Sequence, residues 1–317
     1  MELTFLGTGS AMPTRQRSMS AVALRLAERR EVWLFDCGEG TQHQLLRTPL
    51  RPPQIRRIFL THLHGDHLYG LPGLLTSLSM LGVETPVDLY GPAGLGEVVE
   101  VTLRAAHAGC TFQLTVHELA PGLVLDEGEG EGALRVRCLA LMHGVPCFGF
   151  RVEEAPRAGR LDAERAAALG VVSGPDLGTL KRGGTVVVDG REVRSADLVA
   201  PPVPGRVLAL CGDTLPCDAT VELARGADLL VHEATFGEAR KHMAAERAHS
   251  TAAQAAELAR RAGVARLVIT HFSARYQQSS GETVDDLLAE ARAVFPATDA
   301  AYDLMTVAIP RRAPVAT

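Results

Sequence analysis

Three histidines and one aspartate fall within six positions of this chain, His62-Leu63-His64-Gly65-Asp66-His67, directly after the run Phe59-Leu60-Thr61. His62 and His64, two apart, project together from an extended segment. Gly65 permits a turn, beyond which Asp66 and His67 can face a point a few ångströms away. Imidazole nitrogens and carboxylate oxygens at this density supply two pairs of ligands, as a two-metal site that activates water requires. Further ligands are expected at other strand ends, because open α/β sheets place their sites beyond the carboxyl edge. Three residues fit: His143 after Leu134–Met142, Asp213 after Val207–Gly212, and His271 after Leu267–Thr270. Singly, each would read as a turn or cap residue; together they complete two coordination spheres.

The elements that must carry these residues are short apolar runs alternating with helical patterns. Strands are expected at Leu3–Leu6, Val22–Leu26, Val32–Phe35, Ile58–Leu60, Leu134–Leu141, Val207–Leu210, Leu229–Val231 and Leu267–Ile269. Helices are expected at Thr41–Arg47, Leu71–Leu81, Leu95–Ala106, Asp162–Leu169, Thr251–Ala262 and Thr283–Phe295. This alternation predicts a layered α/β architecture. The chain has 317 residues, 46% of them hydrophobic, which excludes a largely disordered protein. No apolar run approaches the ~18 residues of a membrane span, and the start Met1-Glu2-Leu3-Thr4-Phe5-Leu6-Gly7 reads as a strand, not a signal peptide. Six cysteines without a C-x-x-C pair argue against a disulfide framework or a thiolate metal site and predict a reduced, cytoplasmic setting.

Net charge is −5, yet residues 1–60 carry nine arginines against five acidic residues, and arginine is the better bidentate phosphate ligand. One segment departs from the rest. Residues 151–194 hold a short Ala-rich helix flanked by Gly and Pro, then Ser173-Gly174-Pro175-Asp176 and Leu180-Lys181-Arg182-Gly183-Gly184. Its low apolar content reads as an inserted arm without a core of its own. Pro201-Pro202-Val203-Pro204 stiffens the return to the main body, and Gly128–Gly132 reads as an exposed loop.

The H-x-H-x-D-H run with a later His, Asp and His resembles the metallo-β-lactamase superfamily, and the chain is most similar to ribonuclease Z, the tRNA 3′-processing endonucleases. The narrower resemblance rests on Phe5-Leu6-Gly7-Thr8-Gly9-Ser10 with Pro13, on Asp36-Cys37-Gly38-Glu39-Gly40-Thr41-Gln42, on His232-Glu233-Ala234-Thr235-Phe236, on His249-Ser250-Thr251, and on the Gly174-Pro175 insertion. It implies a four-layer αββα sandwich, a single metallo-β-lactamase-fold domain over residues 1–317 with a protruding tRNA-binding arm at 151–194. It further implies a homodimer with two zinc ions per subunit. One zinc would be held by His62, His64, His143 and Asp213, the other by Asp66, His67, Asp213 and His271.

Phosphodiester hydrolysis then needs a base to orient or deprotonate water, for which Asp66 is placed, and an acid to protonate the leaving ribose 3′-oxygen. His249 is the candidate acid, oriented by Glu233. The expected reaction removes the 3′ trailer from precursor tRNA, leaving a tRNA 3′-hydroxyl and a 5′-phosphorylated trailer. Substrate contacts are expected from Arg15, Arg17, Gly174, Pro175, Lys181 and Arg182. In many family members the early loop reads P-x-K-x-R-N and helps reject tRNAs already bearing CCA; here Arg15 and Ser18 stand for the Lys and Asn, and Arg is not equivalent to Lys at a shaped contact. His43 is expected on a helix, at most as a partner to a ligand. Thr251-Ala252-Ala253-Gln254 reads as a helix capping box, which accounts for Thr251 but not for His249. The competing reading, a related phosphodiesterase or arylsulfatase-like hydrolase acting on small molecules, shares every metal ligand and differs in having no use for the arm.

Overall fold

The computed structural model describes residues 1–128, 130–171, 174–276 and 281–312; Glu129 of the expected glycine-rich loop and Ser173 of the arm lie outside them. Among these residues the chain forms two compact units: one comprises 1–124, 136–152 and 207–309, and the other comprises 125–135, 153–206 and the segment from 310.

The larger unit is built on two mixed sheets of seven strands each. The first runs, in spatial order, Thr306–Ala308, Glu2–Gly7, Ala21–Leu26, Glu31–Phe35, Ile55–Phe59, Val87–Gly91 and Leu114–Glu118; its last four strands are parallel. The second runs Thr298–Ala300, Leu267–Thr270, Leu229–Glu233, Val207–Cys211, Cys147–Glu154, Leu134–Leu141 and Gly122–Asp126, the first four parallel. Aromatic side chains fill the space between the sheets, with Phe150 of the second 5.7 Å from Phe35 and 5.3 Å from Phe59 of the first, ring centre to ring centre. On the outer face of the first sheet, Leu34, Ile58 and Leu89 meet Leu71, Leu74, Leu75 and Leu78 of the helix Leu71–Met80. Each fully buried leucine contributes roughly 1.5–3 kcal/mol of transfer free energy. The second sheet is covered differently: Ala209, Leu230 and Ile269 pack on Ala252, Ala255, Ala256 and Ala259 of the helix Ala252–Ala262. Alanine lets that helix lie close, and it is ended by Gly263 at φ 64°, a left-handed stop that favours glycine. Helix, sheet, sheet and helix make the α/β sandwich that the sequence predicts.

The smaller unit corrects one expectation. It has its own core: Ala166, Val171, Leu180, Val186, Val193 and Leu198 are buried together. Apolar content is low, but its spacing puts one buried residue on each of three short helices (Ala163–Ala168, Pro175–Lys181, Ser195–Leu198) and one on each strand of a hairpin. The hairpin pairs Thr185–Val188 with Arg191–Arg194 and turns at Asp189-Gly190. Both turn residues have positive φ, 49° and 78°, the geometry that a two-residue type I′ turn demands. Gly174 and Pro175 open a helix, with Pro175 at its first position, where a missing N–H costs nothing.

Candidate active site

Most of the histidine and aspartate candidates lie at or just past carboxyl ends of strands in the larger unit, whereas His249 follows the helix Lys241–Glu246. Asp36 follows Glu31–Phe35, His62 and His64 follow Ile55–Phe59, and His143 follows Leu134–Leu141. Asp213, Glu233 and His271 end the three central parallel strands of the second sheet. Asp66 and His67 sit in the one-turn helix Gly65–Leu68. Two residues here depart from ordinary backbone: Asp36 and His271 both have φ near 60°, a left-handed conformation that costs a non-glycine residue about 1–2 kcal/mol and persists where the surroundings over-determine it. Gly38 explains the glycine in the second sequence block. A Cβ there would lie 2.2 Å from the Asp66 carbonyl oxygen, so only glycine lets the two ligand loops touch.

Four imidazoles are held by one ring nitrogen and present the other. His67 donates its Nδ1–H to Asp36 Oδ2 at 2.8 Å. Thr61 Oγ1 donates to the same Asp36 oxygen at 3.0 Å and lies 3.0 Å from His62 Nδ1, from which it accepts. His143 Nδ1 donates to the Ala248 carbonyl at 2.9 Å. Thr235 Oγ1 donates to Glu233 and accepts from His271 Nδ1 at 2.9 Å. The nitrogens that remain converge. His64 Nδ1 lies 3.0 Å from His62 Nε2 and 3.3 Å from His143 Nε2. Such spacings match the edge, about 3.3 Å, of a tetrahedron of nitrogens bound at ~2.0 Å. His67 Nε2 lies 3.1 Å from His271 Nε2, and Asp66 Oδ2 is 3.5 Å from His271 and 3.7 Å from His67. Asp213 Oδ2 stands between the groups, 3.8 Å from His62, 3.5 Å from His67 and 3.4 Å from His271. Burial and the neighbouring His67 push His62 down to about 2, so it is a neutral donor. Lone pairs aimed at one point from several sides repel unless a cation stands among them; the donor set fits a metal ion.

At the rim lies a second construction. Glu233, 1% exposed, accepts from Thr214 N, Ser250 N and His249 Nδ1 through Oε1, and from Thr235 N and Oγ1 through Oε2. One carboxylate thus pins three loops. His249 is the only charged partner among these donors, 2.8 Å away. Burial opposes its charge, but Glu233 prevails and lifts His249 to about 9, while Glu233 itself is held below its usual range against the same burial. Because Nδ1 is committed to Glu233, Nε2 is the nitrogen left to serve a substrate. A ring nitrogen of His249 also lies within 4.8 Å of Asp213 and His271, which places the acid candidate against the ligand cluster. Thr251, two residues on, caps the following helix with Gln254 in a reciprocal box, so capping and presentation of His249 coexist.

The remaining expected residues fall elsewhere. Arg15 is exposed. Arg17 turns inward: its Nη1 donates to Thr8 Oγ1 at 2.7 Å and to the Ala301 carbonyl at 2.9 Å, with the guanidinium 4.6 Å above the Phe272 ring. Through these contacts it braces its own loop. Gly174, Pro175, Lys181 and Arg182 are exposed in the smaller unit. His43 is exposed on the helix Thr41–Leu45 and contacts no ligand among the hydrogen bonds of the described residues. Asp36 and Thr235 orient His67 and His271, a role that their sequence motifs alone did not assign to them. Asp36 carried the same signal as Asp213, an aspartate closing an apolar strand.

Residues 1–115 match the family model described as anti-Pycsar protein Apyc1, and residues 194–272 match the β-lactamase superfamily domain. The chain is 50% identical over 313 residues to a ribonuclease Z of Nostoc sp., covering 98% of this chain and 96% of that protein. It is 49% identical over 312 residues to a ribonuclease Z of Gloeothece citriformis, covering 98% and 97%. Among solved structures, the short form of human tRNase Z is 33% identical, with a TM-score of 0.69 over 98% of this chain and 100% of that one.

Proposed function

The chain belongs to the ribonuclease Z family of endoribonucleases, and on that footing we propose that it removes the 3′ trailer from precursor tRNA, leaving a tRNA 3′-hydroxyl and a 5′-phosphorylated trailer. The observation that carries this reading is the Glu233–His249 pair set against the cluster of seven ligands: an acid beside a site for activating water. Zinc is the metal that best suits histidine with carboxylate at these spacings. One ion would be held by His62, His64, His143 and Asp213, and a second by Asp66, His67, Asp213 and His271. When bound, the pair supplies positive charge beside the scissile phosphate and lowers the pKa of a water toward ~7. Asp66 orients that water and can take its proton. His249, protonated through neutral pH, gives its Nε2 proton to the departing 3′-oxygen, and Glu233 stabilises the charge it carries beforehand.

The smaller unit, with the arm at 151–194, is our candidate for gripping folded RNA. Within it a cleft of about 790 Å³ is lined by Arg157, Lys181 and Arg182 together with Ser195, cations suited to phosphates rather than to base edges. A cytoplasmic homodimer is part of the same proposal. The six cysteines are free thiols, and among the described residues no helix is long and apolar enough to cross a membrane. The test is incubation with end-labelled precursor tRNA carrying a 3′ trailer, with and without encoded CCA. A single cut leaving a 3′-hydroxyl supports the reading; an uncut precursor alongside rapid hydrolysis of small phosphodiesters would replace it with the small-molecule alternative.

A further inference from the structure

The loop from Thr8 to Ser18 is braced from the far end of the chain. Asp303 accepts from Thr8 Oγ1 at 2.7 Å through Oδ1, and from Ser18 N at 2.7 Å and Gln44 Nε2 at 2.9 Å through Oδ2. Thr8 and Ser18 are the two feet of the loop, joined by Gly9 N to the Ser18 carbonyl. Arg17 reaches back from the loop to Thr8 and to the Ala301 carbonyl, so one carboxylate and one guanidinium close both ends. What the loop then does lies at its near side. Ala11, held at φ 61°, donates its N–H to Asp66 Oδ2 at 2.7 Å. That oxygen is the one facing the ring nitrogens of His67 and His271. The foot is also tied to the other ligand segment, since Phe272 N donates to the Thr8 carbonyl and Phe272-Ser273 pairs with Gly9-Ser10 immediately after His271.

We infer that Asp303 is a positioning residue: it braces the Thr8–Ser18 loop so that the Ala11 amide fixes the Asp66 carboxylate and the Thr8–Phe272 link fixes His271. A strained left-handed alanine relaxes when its surroundings no longer over-determine it, and the first thing lost would be its bond to Asp66. The inference rests on Asp66, His67 and His271 being metal ligands. Its test therefore includes a measurement that needs no metal.

Asp303→Ala should speed hydrogen exchange of the amides of residues 11–18 in metal-free protein. It should also weaken uptake of the second Zn²⁺ equivalent, leaving the first unchanged, and lower kcat on precursor tRNA and on a nitrophenyl phosphodiester alike with little change in KM. The last two effects should be roughly 10–100-fold, as for loss of an outer partner to a ligand. Asp303→Asn, which keeps an oxygen for Ser18 and Gln44, should recover most of the loss. If Asp303→Ala does not fold, Thr8→Val removes the bridging hydroxyl at nearly constant volume and should act in the same direction. Unchanged exchange in a folded variant, or a loss confined to KM, overturns the inference. If the wild type takes up no Zn²⁺, the ligand reading fails, and exchange alone decides whether Asp303 braces the loop.

Discussion

At the scale of single residues, the site works by committing one face of each side chain so that the other is free. His67, His62, His143 and His271 are each fixed through Nδ1, and His249 is fixed through Nδ1 by Glu233. The same arrangement makes different predictions for ligand and acid. If His249 protonates the leaving oxygen, His249→Ala should lower turnover of precursor tRNA by ~10²–10⁴, with zinc content by elemental analysis unchanged. A nitrophenyl phosphodiester, whose leaving group needs no proton, should suffer far less. Equal losses on both substrates would assign His249 a structural role instead.

Among the elements, the segments entering and leaving the smaller unit are joined by a buried carboxylate. Glu154 takes both nitrogens of a fork from Arg206, at 2.8 and 2.9 Å, and two more bonds from Arg311 at 2.9 Å. Gly205 is needed beside it, because a Cβ would fall 1.6 Å from the Glu154 carbonyl oxygen. Burial raises the pKa of Glu154, but the two guanidinium groups outweigh it and bring the group from 4.5 to about 2. A carboxylate with a depressed folded pKa stabilises the fold fully above its unfolded pKa, and that contribution disappears as pH falls through the folded value. Glu154→Gln should therefore be less stable than wild type at neutral pH, and the gap in urea midpoint should shrink between pH 4.5 and 2. A gap that stays constant across that window would show that the charge of Glu154 is not what ties these segments.

For the whole molecule, the two units divide the proposed labour between chemistry and grip. The larger holds every candidate ligand, and the smaller holds none of them. Binding energy gathered far from the reacting atoms should appear mainly in KM. Deleting the tip of the arm, residues 174–184, should raise KM for precursor tRNA sharply, by an amount that diminishes at high salt where phosphate contacts weaken. Turnover of a small phosphodiester should stay near wild type. Mixed dimers of arm-deleted subunits with armed Asp66→Ala subunits should regain tRNA cleavage if the arm of one subunit serves the site of the other. No recovery after verified subunit exchange would confine the arm to its own subunit, and unchanged tRNA kinetics after deletion would remove it from substrate binding altogether.

Five of the candidate ligand positions were legible in the sequence because they follow short apolar strands, and parallel strands bring their carboxyl ends to one edge whatever their order in the chain. His62, His64, His143, Asp213 and His271 needed that rule, Asp66 and His67 needed the Gly65 turn that leads into the helix Gly65–Leu68, and the sandwich followed from the strand–helix alternation. The weaker strands were not legible. Cys147–Glu154 carries Gly149 near its start, where a Cβ would lie 2.6 Å from Leu223, and close packing of that kind leaves no periodic trace. Nor was the arm's core, which depends on six residues meeting from three helices, a hairpin and the loop at Val171. Above all, the partners that orient the site could not be read: Asp36 meets His67 across 31 residues, Thr235 meets His271 across 36, and Thr8 meets Asp303 across 295. Local sequence determines which side chains can donate or accept, because donor chemistry belongs to each residue. Which nitrogen is tied back and which is presented depends on contacts between distant segments, and only the packed fold decides those.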